Sequence, residues 1–130
     1  MTLPIKMVYD LLLDSPDLTS VVDSDHIFML DVPEDNRRVD HFPIIRINEI
    51  NDKQNAFASN MPNSIQMTVQ VDVWSNDYSK LDTIQSKLDS YMAANQWVQY
   101  SGSIDIDPDI DTPRLYRRYR AIQQINNNNK

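Results

Sequence analysis

Nine consecutive residues restrict the fold of this chain more than any other stretch. Ile65, Met67, Val69, Val71 and Val73 are apolar, and Gln66, Thr68, Gln70 and Asp72 between them are polar. Side chains along a strand point alternately to its two faces, so this strict period of two predicts a half-buried β-strand. One apolar and one polar face favour an antiparallel sheet covered on one side. The cover follows in the sequence. Leu81, Ile84, Leu88, Tyr91 and Met92 recur at helical spacing, with Lys80, Asp82, Gln85, Ser86, Lys87, Asp89 and Ser90 on the other face. That predicts an amphipathic helix lying on the apolar face of the strand, its start capped by Ser75 or Asn76.

The rest of the chain completes a mixed pattern. Pro4 suits a first helical turn, where its missing N–H is no loss, and Ile5, Val8, Leu11 and Leu12 follow at helical spacing. Ser15-Pro16-Asp17 stops that helix and can cap a short second turn through Val22. Ile27–Leu30, Ile44–Ile50 after Pro43, Trp97–Ile106 around Gly102, and Arg114–Ile125 read as further strands. Asp31–Phe42 and Asn51–Asn63 are polar and aperiodic. They are expected to be loops, mobile in the free protein and ordered on contact with a partner. The order of elements predicts an α+β fold, a four- to five-stranded mostly antiparallel sheet with helices packed on one face. A length of 130 residues suits one domain, residues 1–125, followed by a disordered Asn-rich tail at residues 126–130.

Composition removes whole classes of chemistry. With no Cys there are no disulfides, thiolate nucleophiles, Cys-ligated zinc sites or iron–sulfur clusters. With Gly102 as the one glycine there is no phosphate loop or dinucleotide fingerprint, because both need several glycines for backbone to approach a phosphate. Twelve Lys and Arg against nineteen Asp and Glu leave a formal net charge of −7, which repels nucleic acid at long range. Residues 1–6 show no basic leader, and no run approaches 18 apolar residues. The expectation is a protein without a membrane segment, kept in a cytoplasm or in something assembled there.

Candidate sites are few. His26 and His41 are the only histidines and read as surface residues rather than members of a triad. Asp105, Asp107, Asp109 and Asp111 alternate along an extended segment and could attract a divalent cation. The glycine and distal Glu of a calcium loop are missing, and the nearby arginines offer neutralisation instead. Neither a catalytic constellation nor a cofactor or metal site is expected. The distinctive cluster is Arg114, Tyr116, Arg117, Arg118, Tyr119 and Arg120. Arg117 and Tyr119 share one strand face, and Tyr116, Arg118 and Arg120 share the other. Charge on both faces suits a strand that meets another subunit or partner, where Arg and Tyr are enriched.

Taken together, several segments resemble a known family. They are Val8-Tyr9-Asp10-Leu11-Leu12, His26-Ile27-Phe28, Pro33-Glu34 and Phe42-Pro43-Ile44-Ile45-Arg46-Ile47-Asn48-Glu49, then Gln70-Val71-Asp72-Val73-Trp74-Ser75, Tyr91-Met92 and the stretch from Asp111-Thr112 to Arg120-Ala121. In this order they are similar to the siphophage tail-terminator, or tail-completion, proteins of the head–tail junction. The resemblance implies a non-enzymatic virion protein, assembled in the bacterial host cytoplasm. It implies a hexameric ring that caps the tail tube, contacts the tail tube protein and a head-completion protein, and lets DNA pass without specific binding. The alternative reading of the residues is a small acidic protein-binding or regulatory module acting through the Arg/Tyr-rich C-terminal strand.

Overall fold

The computed structural model describes residues 3–50 and 64–124. The elements run α1 (Pro4–Leu13), α2 (Pro16–Thr19), β1 (Ile27–Met29), β2 (Ile44–Glu49), β3 (Ser64–Trp74), α3 (Tyr78–Ala94), β4 (Val98–Asp107) and β5 (Thr112–Gln124). Five strands form one sheet in the order β1-β2-β3-β5-β4. Only β1 and β2 pair in parallel, and the other three pairings are antiparallel. The expected α+β class and one-sided helical cover are therefore present. The loop Asn51–Asn63 and the tail at residues 126–130 lie outside the described residues.

The alternation in β3 builds the core. Met67, Val69, Val71 and Val73 are buried, and they sit in one cluster with Leu81, Ile84, Leu88 and Met92 of α3 and with Ile5, Val8 and Leu12 of α1. Pairing carries the same face outward to Ile45 and Ile47 of β2 and to Leu115, Tyr119 and Ala121 of β5. Capping differs in one place from the sequence expectation. Asp77, not Ser75 or Asn76, caps α3, its carboxylate accepting from the Ser79 and Lys80 N–H groups at 3.0 and 3.3 Å. Ser75 acts one step earlier, accepting from the Asp77 N–H at 3.1 Å and so placing the cap. Ser15 caps α2 as expected, accepting from Leu18 N at 3.2 Å.

The outer face of the sheet, expected to be simply polar, is partly closed. At the C-terminal end of β3 a second small cluster joins Val32, Ile44 and Trp74 with Phe28, Phe42 and Ile110. It draws in the stretch Asp31–Phe42, which holds two short 3-10 turns, Glu34–Asn36 and Val39–His41. Arg37 pins that stretch by donating from Nε to the Val32 carbonyl at 2.8 Å. Val32 has no periodic apolar neighbours in sequence, so its burial was not legible there.

Leu88 is fully enclosed between α3 and the sheet. Leu88→Ala should lower unfolding stability by about 2–5 kcal/mol, read from urea or thermal midpoints.

Candidate functional site

Register against β3 fixes the two faces of β5. Tyr119 pairs with Val69, Arg117 with Val71 and Leu115 with Val73, so these residues lie on the helix-covered inner face. Arg114, Tyr116, Arg118 and Arg120 lie on the outer face. The division of the Arg/Tyr cluster read from the sequence is the one observed, but the two faces use their charges differently.

On the inner face the charge is consumed within the chain. Asp89, on the flank of α3, accepts from Arg117 Nε at 3.2 Å and Nη2 at 2.6 Å, and from the Tyr119 hydroxyl at 2.6 Å. Tyr119 has no exposed surface. Burial pushes its hydroxyl well above the usual phenol range, and the hydrogen bond to Asp89 and the negative charge there add to the effect. Burial, the largest single influence, favours a neutral Arg117, but the bond to Asp89 and that group's negative charge together outweigh it and raise the guanidinium's pKa. Gly102 makes the arrangement possible. It faces Arg117 across the β4–β5 pair, and a Cβ there would sit 2.7 Å from Arg117 Nη1 and 2.8 Å from the Tyr116 carbonyl. The single glycine thus marks the point where a guanidinium crosses the β4 backbone. Asp89 was assigned to the solvent face of its helix by periodicity. The signal for its role was the cation Arg117 on a strand face otherwise apolar, which needs a carboxylate opposite.

On the outer face a polar chain runs across three strands. Asp72 is completely buried. One of its oxygens accepts from Arg46 Nε and Nη2 at 3.0 and 2.8 Å and from Asn48 Nδ2 at 3.3 Å, while the other accepts from Gln70 Nε2 at 2.8 Å. Gln70 in turn accepts from Arg118 Nε at 2.9 Å. Arg46 also lies over the Trp74 ring, 4.9 Å from its centroid, and Trp74 Nε1 donates to Asp107 at 2.9 Å. Arg114 grips Asp105 with two bonds of 3.1 and 2.7 Å. Arg118 and Arg120 differ. Arg118 stacks toward Tyr116 at 5.7 Å and Arg120 over Tyr100 at 4.2 Å, and neither meets a carboxylate among the described residues. The other five arginines, at positions 37, 38, 46, 114 and 117, each do.

The remaining candidates resolve into local contacts. Asp105 is held by Arg114, and Asp107 by Trp74 and the Asp109 N–H at 3.0 Å. Among the described residues no three His, Asp or Glu side chains gather as a metal site. His26 and His41 come together, which the sequence did not foretell. Their rings stack at 4.7 Å, joining the turn before β1 to the turn before β2. No helix among the described residues is long and apolar enough to cross a membrane.

Neither a protein-family model nor a curated protein sequence matches the chain. Among solved structures it is similar to the bacteriophage SPP1 gp17 protein. The TM-score is 0.53 and the identity 17%, and the match covers 95% of this chain and 88% of that one. The two share a fold across nearly their whole lengths.

Two outcomes test the inner-face network. Gly102→Ala should displace Arg117 and cost about 1–3 kcal/mol, read from denaturant midpoints. Tyr119 holds its proton more tightly when folded than when unfolded, so wild-type stability should fall as pH rises above about 10, where the unfolded phenol ionises first. Tyr119→Phe should flatten that alkaline decline in a series of urea melts between pH 8 and 11.

Proposed function

We propose that this chain is a structural assembly protein of a tailed-phage virion. It closes the tail tube as a ring, hexameric by the sequence resemblance, and presents a surface to the head-completion protein. The observation that carries the reading is the fold shared with a bacteriophage protein over 95% of the chain. It is reached independently of the ordered segments that resemble tail terminators. The role is non-catalytic, and its place is the head–tail junction, reached by assembly in the host cytoplasm.

The charge distribution fits that role. Six copies would carry a formal charge of −42, six times −7. A channel wall dominated by carboxylates repels phosphate and leaves a duplex free to slide, whereas a basic wall would hold it. Of the Arg/Tyr cluster, Arg117 and Tyr119 serve the protomer's own packing. Arg118, Arg120 and Tyr116 are the members left to form the subunit or partner contact, whereas Arg114 is held by Asp105. The unpaired Arg118 and Arg120 also favour a second reading, a small protein-binding module that works without forming a ring.

Mass separates the two. A hexamer of 15.2 kDa subunits has a mass of about 91 kDa. Light scattering on the protein alone, and sedimentation with tail tubes of the same phage, should find that species free or bound at tube ends. A protein that stays at one or two subunits in both experiments would sink the ring and leave the binding module.

A further inference from the structure

Two patches on the β4–β5 hairpin match each other rather than anything else among the described residues. The first lies on the outer face at the end of the hairpin remote from its turn. Arg118 and Arg120 sit there beside Val98, which is 61% exposed, and the exposed Tyr100 and Ile122. Both cations lack a carboxylate among the described residues. The second patch lies at the turn. Ile104 and Ile106 are exposed, Ile106 by 53%, and they pair with Leu115 and Pro113 on the inner side of the hairpin. Asp109 and Asp111 stand exposed beside them, with no cation in contact among the described residues. The segment 98–111 contains no Lys or Arg at all.

We infer that these patches bind each other between copies, the acidic turn of one protomer docking on the Arg118–Arg120 strip of the next. The occupant of each patch is a second copy of this chain because each offers what the other lacks: exposed aliphatic surface with two uncompensated charges of opposite sign. The geometry also sets the symmetry. The aliphatic parts of the patches, Val98 and Ile122 against Ile104 and Ile106, lie on opposite faces of the hairpin and about eight residues apart along β5, ~26 Å at ~3.3 Å per residue, while Asp109 borders an outer-face hollow beside Trp74 and Arg37. A copy seated on one patch leaves its neighbour's other patch open, so the contact is head-to-tail and repeats, closing into a ring where the rotation allows. A reciprocal two-fold dimer would need both aliphatic surfaces on one face. This inference rests on the ring reading and names the surfaces that make it.

Charge exchange tests the contact. Arg120→Glu changes a side chain with no hydrogen bond among the described residues, and Asp109→Lys with Asp111→Asn changes the turn while keeping a residue tolerant of the φ of 50° at position 111. Each full-length variant should fold with the wild-type melting profile and assemble at least about tenfold more weakly, whether alone or on tail tubes. Mixing the two variants in equal amounts should restore assembly, since a glutamate strip then meets a lysine turn at every second interface. Normal assembly by both variants separately would overturn this contact and leave the ring standing on other surfaces. Two weak variants that fail to rescue each other would also overturn it. A wild-type protein that assembles neither alone nor on tubes would end the ring and this contact together, and a wild-type species that stops at two copies would exclude the head-to-tail arrangement.

Discussion

A shift of β3 by one residue would invert this molecule. Because strand side chains alternate with a period of two, such a slip would carry Asp72 under α3 and turn Val71 toward the outer face. β3 is the strand both β2 and β5 pair with, and its register decides theirs: Ile47 opposite Val71 on one side, Arg117 opposite Val71 on the other. Everything else depends on that choice, from the seat of α1 and α3 to the face on which each arginine of β5 emerges.

Two carboxylates, Asp72 fully buried and Asp89 half-buried, enforce the choice from opposite sides. Asp72 takes donors from Arg46, Asn48 and Gln70 on the outer face, and Asp89 takes Arg117 and Tyr119 on the inner face. Ion pairs removed from water gain little net stability over well-packed apolar residues, because desolvation offsets the attraction. Their value here is directional. Valine and leucine faces tolerate small rotations of a helix over a sheet, whereas a two-pronged guanidinium contact from β5 to α3 does not. The crossing of Arg117 over Gly102 extends that constraint to β4, the edge strand, so the hairpin is held to the helix by a side chain as well as by its backbone ladder.

The legible parts of this chain were those with a period. The alternation of Ile65–Val73, the helical spacing of Leu81–Met92 and the proline-led first helix each specify a face, and the faces specify α+β packing. What escaped was contact between residues distant in sequence and individually ordinary. Asp89 lies one position beyond a buried Leu, and nothing within its own helix distinguishes it from Asp82. Asp72 belongs to the polar register of β3, and its complete burial is met by Arg46 and Asn48 of β2 and Gln70 of its own strand. The stack of His26 on His41 joins two aperiodic turns, for which sequence offers no spacing rule. The arginine cluster was visible as a cluster. The separation into cations used internally and cations left over needed the positions of Asp89, Asp105 and Gln70.

That separation bears on how a protein this acidic can associate with itself. Two bodies of charge −7 repel at a distance, and at physiological salt the repulsion decays over a Debye length of ~8 Å. Attraction must therefore act at contact range, from apolar area and a few matched charges, after the approach has been opposed. Five arginines already engaged with carboxylates add nothing at contact, because their fields are largely cancelled. Arg118 and Arg120 are not cancelled in this way, and they stand beside exposed Val98, Tyr100 and Ile122, where an approaching surface would exclude water and strengthen them. In the proposed ring this balance makes free protomers slow to meet and firm once seated. A template that holds them side by side supplies the encounter that their net charge opposes.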